Sequence, residues 1–377
     1  MSEDWNELRD RLPRTADAVE AGVRDGATPG AQVYVSLAGE TVADAAVGEA
    51  RPGVPMRRDS VALWMSMGKP LTAALVAKLV DRDMLEVDQL VADWIDGFEA
   101  GGKGGVTVAH VLTHTGGFRN VGSNWSPEPW PKVIDRIAAA PLEEDWVPGE
   151  TAGYHVASGW YVLADICRRA LGVEPNDAAL AAMYQRELVE PLRMDDAWVG
   201  MPRTRYLDYG SRLALAYDTS KDERKAMAFP NTEAGFVLCR PGGNARGPVR
   251  AIRRFYEQLL IDRADLAGER FLVEATAGQF TSRHRVGLKD RTFGAAIDWG
   301  YGFLMNNDTS RRIPYGYGPH ASPETFGHSG NQSSCAFADP ARKLVVAWLT
   351  NGLPGELAHQ RRQLAINTAI YEDLGLA

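Results

Sequence analysis

The chain has 377 residues, 45% of them hydrophobic and 24% charged, which is enough to bury one large core or two joined ones. The formal net charge is -8 with both signs mixed along the length, so it offers no basic face for nucleic acid and no polybasic arm for an anionic membrane. Small-molecule chemistry is the remaining expectation, and Cys167, Cys239 and Cys335, far apart and in no CxxC pair, read as reduced buried thiols rather than a disulfide framework or zinc knuckle.

The opening stretch MSEDWNELRDRLPRTADAVEAGV is charged and helical in period, without the basic start and apolar core of a secretory signal. No run approaches the roughly 20 apolar residues that cross a bilayer. A soluble, cytoplasmic protein is expected. Next, GAQVYVSLAGETVADAAVGEA reads as two short strands joined at Ala38-Gly39, since apolar and β-branched residues alternate on both sides of a tight turn. From Ser66 to about Leu192 the period becomes helical, with sets such as Leu71, Ala74, Leu75, Leu79 and Val162, Leu163, Ile166, Ala170.

RPGGNARGPVRAIRRFYEQLL is a Gly-rich loop entering a helix from about Pro248 to Ile261, and without a strand-GxxxxGK order it is no phosphate cradle. SSCAFADPARKLVVAWLTNG predicts a hairpin turning at Asp339-Pro340, and ELAHQRRQLAINTAIYEDLG a closing amphipathic helix. The expected fold is mixed α/β (α+β): an antiparallel sheet flanked by N- and C-terminal helices, with an inserted mostly helical domain. Residues 1–65 and 246–377 would form the sheet domain and 66–245 the helical one, with the active site in the cleft between them.

One stretch, WMSMGKPLTAALVAKLV, sets Ser66 and Lys69 three residues apart, on one face of a helix. With 15 serines and 8 lysines in the chain, roughly 0.3 such pairs arise by chance, so context has to carry the motif. Pro70 is tolerated only in a helix's first turn, which puts Ser66 at the helix start, where the dipole favours an oxyanion. The residues around Lys69 are apolar, and bringing a lysine from about 10.4 to near 7 costs roughly 4 kcal/mol, which burial supplies. A neutral Lys69 is then a base for Ser66. On these residues alone, an N-cap serine and a lysine snorkelling to solvent fit equally well.

Two further segments add chemistry. Tyr154 stands in PGETAGYHVASGW just before a helix, and ETFGHSGNQSSCAF carries His328, Ser329, Gly330 and Asn331 on a strand edge where glycine permits close approach. With these in place the chain resembles the serine β-lactamase and penicillin-binding-protein group, in particular its class C-like branch of β-lactamases, esterases and transesterases. The resemblance rests on S-x-x-K at Ser66–Lys69, the Tyr154 motif, and H-S-G at His328–Gly330 where that group carries K-T-G or H-x-G, with VTVAHVLTHTGGF in support.

The resemblance implies a serine acyl-enzyme hydrolase or acyltransferase acting on an ester or amide. Ser66 would be nucleophile, Lys69 general base, and Tyr154 a second base and proton donor, with the N–H groups of Ser66 and Asn331 as oxyanion hole. His328, Ser329, Gly330, His155 and Trp125 would contact substrate. The alternative is a transacylase that hands the acyl group to an amine or alcohol. A true β-lactamase fits less well, since Tyr154-His155-Val156 lacks the asparagine of Y-x-N and His328 replaces a lysine that attracts carboxylates, and a non-catalytic sensor fits less well because Ser66, Lys69 and Tyr154 are present together. Trp125, Trp130, Trp146 and Trp160 could form an aromatic wall or part of the core. His110 and His114 in HVLTH lack the glutamate of HExxH, so no metal and no cofactor is expected. The partners implied are a small ester or amide and an acyl acceptor, with no nucleic acid or membrane.

Overall fold

In the computed structural model, residues 2–221, 223–263, 270–307 and 316–377 are described. Helices α1 (Glu3–Arg11) and α2 (Pro13–Arg24) precede strands β1 (Gly30–Leu37), β2 (Glu40–Arg51) and β3 (Val54–Pro55). Helices α3 (Lys69–Val80), α4 (Ser158–Ala170) and α5 (Val249–Arg263) follow, then β4 (Leu304–Met305), β5 (Phe326–Gly330), β6 (Ser334–Asp339), β7 (Leu344–Thr350) and helix α6 (Glu356–Asp373). The seven strands form one sheet in the order β3-β2-β1-β7-β6-β5-β4, with antiparallel neighbours throughout.

This is the mixed α/β sheet expected from the two ends of the chain. Strand β1 pairs with β7 from Ala31 opposite Thr350 to Leu37 opposite Leu344. The period-2 alternation of β7 divides the core. Leu344, Val346 and Trp348 face a layer holding Trp5, Leu8, Val19, Ile366, Ile370 and Tyr371 of the terminal helices. Val345, Ala347 and Leu349 face the opposite layer, with Ile252, Phe255 and Leu259 of α5 and the apolar residues of α3 and α4 behind them.

Two features depart from the sequence reading. The N-terminal helix is interrupted, because Pro13 has no N–H to donate and instead occupies the first turn of α2. The intervening region also contains two-residue strands at Ala62–Leu63, Trp198–Val199, Tyr217–Asp218 and Lys225–Ala226, too short for any alternation to show.

Helix α2 has an unusual cap. Its preceding residue, Leu12, supplies no side-chain acceptor. Instead Asp373, from the last turn of α6, accepts from Arg14 N (3.2 Å), Thr15 N (2.9 Å) and Thr15 Oγ1 (2.8 Å). The two ends of the chain are thereby fastened by the orphan N–H groups of a helix start. Asp373→Ala should therefore lower unfolding free energy by about 1–2 kcal/mol, the usual worth of an N-cap, with Asp373→Asn retaining part of it; chemical denaturation of the three proteins checks this.

Candidate active site

Ser66 lies in a 3-10 turn, Met65–Gly68, that runs directly into α3. Met65 takes a φ of 53°, a conformation uncommon outside glycine, and the turn so formed carries Ser66 on its crest. Strand β5 presses against the same turn. A Cβ on Gly330 would stand 2.1 Å from Ser334 Oγ and 2.4 Å from the Trp64 carbonyl, while Ser334 Oγ donates to that carbonyl at 2.7 Å. The glycine of H-S-G thus lets the chain's own backbone approach, where the sequence suggested room for a ligand.

Lys69 settles one of the alternatives left open by the motif: it is fully buried and does not snorkel, and Ser66 makes no N-cap bond to α3. Nζ lies 3.0 Å from Ser66 Oγ and 2.9 Å from the Val156 carbonyl, and also bonds the Gly242 carbonyl. Burial holds its pKa well below the ordinary lysine value. No carboxylate among the described residues contributes to that shift.

The Tyr154 ring centre lies 5.3 Å from Lys69 Nζ. Burial raises the phenol's pKa, the neighbouring Ser66 hydroxyl opposes this, and Asp290 adds to it. The loop is fixed from beneath. Asp290 Oδ1 accepts from the N–H groups of Tyr154 (3.1 Å), Thr292 (2.8 Å) and Phe293 (3.2 Å), and its Oδ2 takes a bond from Arg285 (2.9 Å). Arg285 also donates to the Thr113 and Ile297 carbonyls. His114 packs 4.7 Å from the Tyr154 ring and Trp299 lies 5.8 Å away, nearly parallel to it. None of these supports was marked by the sequence. Asp290 meets Tyr154 across 136 positions, and no local pattern announces such a contact.

These groups open onto a cavity of about 340 Å³. Its wall includes Ser66, Tyr154, His328, Ser329, Gly330, Asn331 and Trp125, all singled out in the sequence. The Asn331 N–H follows the end of β5 and has no acceptor among the described residues. Phe293, Ile297, Trp299 and Leu304 form an apolar side that the sequence did not mark.

His155 is a correction. In the extended Tyr154-His155-Val156 segment successive side chains point to opposite sides, so Tyr154 and Val156 line the cavity and His155 points into the core. Its ring meets Ser158 Oγ at 3.0 Å, and burial pushes its pKa down to about 3. It is not among the residues that line the cavity. Of the four tryptophans considered for a wall, Trp125 alone lines the cavity, while Trp130, Trp146 and Trp160 are buried and donate to Asp165, Thr115 O and His155 O. His110 accepts from Thr107 N at a helix start, and among the described residues no His, Cys, Asp or Glu cluster could hold a metal.

A sequence profile described as Beta-lactamase matches residues 15–370. Esterase EstB of Burkholderia gladioli is 28% identical over 96% of this chain and 95% of its own length. Esterase/beta-lactamase LipL of Mycobacterium tuberculosis is 26% identical over 86% and 77% respectively. Among solved structures, a family VIII carboxylesterase superposes with a TM-score of 0.77 at 26% identity, covering 96% of this chain and 97% of that one. A penicillin-binding protein homologue from Caulobacter crescentus gives 0.74 at 27% identity, with 96% and 98% covered. With the profile match spanning nearly the whole length and the fold agreeing, the chain belongs to the Beta-lactamase family.

Proposed function

We propose that this protein is an esterase that forms an acyl-enzyme on Ser66, with Lys69 as the base and Tyr154 as proton donor to the leaving alcohol. The observation that carries this is the surroundings of the Lys69 amine. Two of its three partners are backbone carbonyls, which can only accept. A neutral amine has two N–H bonds and one lone pair. With both hydrogens directed at Val156 O and Gly242 O, the lone pair is left facing Ser66 Oγ at 3.0 Å.

The cycle then balances without any other group. As Ser66 Oγ attacks the ester carbonyl, its proton passes to Lys69, and the developing oxyanion meets the N–H groups of Ser66 and Asn331. When the C–O bond breaks, the leaving oxygen takes the Tyr154 proton, and Lys69 returns one to Tyr154. The raised pKa of Tyr154 suits it to donation rather than to resting as a base. Water, deprotonated through the same pair, releases the acid.

An ester is favoured over an anionic β-lactam because no lysine or arginine stands among the described residues lining the cavity. Burial pushes the His328 pKa down to about 3, so it carries no charge at neutral pH. Val156 offers no amide to a β-lactam side chain. EstB, named an esterase, and LipL, named an esterase/beta-lactamase, support the same substrate class.

Incubation with a fluorophosphonate should label the wild type and leave Ser66→Ala unlabelled, and p-nitrophenyl butyrate turnover should vanish with the labelling. Labelling that persists in Ser66→Ala would refute the assignment. Tyr154→Phe should lower kcat by roughly 10²–10⁴, the usual contribution of a positioned proton donor, while keeping the fluorophosphonate adduct at Ser66.

The pH profile follows from the two shifts. Lys69 acts deprotonated and its pKa is lowered, so kcat/KM should rise along an acidic limb centred well below 10.5. Tyr154 acts protonated and its pKa is raised, so the alkaline limb should lie above 10.0. A profile still rising steeply between pH 9 and 10 would mean that the lysine is charged in the resting enzyme.

A further inference from the structure

His328 sits on β5 two residues before Gly330, the glycine pressed against the Ser66 turn, and its ring centre lies 6.0 Å from that of Tyr154. Its tautomer is fixed by a neighbour. Nδ1 lies 2.7 Å from the Ser329 carbonyl, which can only accept, so the ring proton is on Nδ1. Because burial keeps the ring uncharged, the other nitrogen, Nε2, presents a bare lone pair. That atom is buried on a cavity-lining residue that is 3% exposed, and it has no hydrogen-bond partner among the described residues.

Several donors on the wall are already committed. Ser329 Oγ donates to Gln363 Oε1 (3.1 Å), Gln363 Nε2 to Gly316 O (2.9 Å) and Thr292 Oγ1 to Tyr154 O (3.2 Å). Asn124, which also lines the cavity, gives its Nδ2 hydrogen to Val156 O, leaving a second buried acceptor, Oδ1, without a donor. The unpartnered donor Trp299 Nε1 belongs to a ring packed edge to face against His114 at 4.4 Å and tilted against His328 at 5.4 Å. With Glu356 on the same wall and no lysine or arginine among the described lining residues, the wall disfavours a carboxylate, and the unpartnered buried donors among those residues, Trp299 Nε1 and Asn367 Nδ2, make no bond to His328 Nε2 or Asn124 Oδ1. A buried acceptor of this kind is unfavourable until a donor reaches it.

We propose that His328 is a specificity-determining residue whose Nε2 accepts a hydrogen bond from a hydroxyl on the leaving alcohol, making esters of hydroxyl-bearing alcohols the preferred substrates. The leaving-group side is indicated because Tyr154, which protonates the departing oxygen, is the ring beside His328. The inference rests on the acyl-enzyme reading above and deepens it.

Three butyrate esters test it: 2-hydroxyethyl, which carries a donor; 2-methoxyethyl, which has lost it; and carboxymethyl, which is anionic. For the wild type, kcat/KM should favour hydroxyethyl over methoxyethyl by roughly three- to tenfold, the worth of one neutral hydrogen bond, with carboxymethyl the poorest. His328→Phe should bring the hydroxyethyl to methoxyethyl ratio to about one, and His328→Gln, which keeps an acceptor, should preserve part of it. His328→Lys should raise carboxymethyl relative to methoxyethyl. Each ratio is read within one variant, so a change in overall turnover cancels. A wild-type ratio near one, or a preference that survives in His328→Phe, overturns this inference while methoxyethyl turnover leaves the esterase reading standing. If the wild type turns over none of the three, both fall together.

Discussion

The site depends on where two backbone carbonyls lie. Val156 O comes from the segment entering α4, and Gly242 O from the Gly-rich loop before α5, so two distant stretches of chain converge on the amine at the start of α3. Neither carbonyl brings a formal charge. Together they orient the amine without supplying the anion that would hold a proton on it. A carboxylate in the same place would stabilise the ammonium.

Asn124 reinforces this arrangement, since its side-chain N–H shares the Val156 carbonyl with Lys69. The phenol is held by a separate set of contacts, in which Asp290 gathers three backbone N–H groups and Arg285 neutralises it from the buried side. The two supports meet in the Tyr154–Val156 segment, which carries the phenol and also supplies a carbonyl to the Lys69 amine.

How much of this could be read in the sequence depended on distance along the chain. The sheet was legible because β1, β2, β6 and β7 are long enough for alternation to show, whereas strands of two residues leave no period. Ser66 and Lys69 were legible because three residues and a proline fix their mutual position locally. Tyr154 and the His328 segment were legible mainly through family resemblance. Arg285, Asp290, His114 and Trp299 were not, because their value comes from contacts with partners far away in sequence. His155 was misplaced for a local reason: in an extended segment one step of register exchanges cavity for core.

The strand at the front of the chain has its sheet neighbour near the back, and Gly30 N also donates to Asn351 Oδ1, 321 positions on. A ribosome making this chain exposes β1 and β2 long before β7 exists, so that edge of the hairpin stays open through most of synthesis. The barrier to folding is correspondingly non-local, because loop closure between β1 and β7 must precede the pairing that rewards it. Chaperone demand should fall on this waiting hairpin until β7 emerges to lock it.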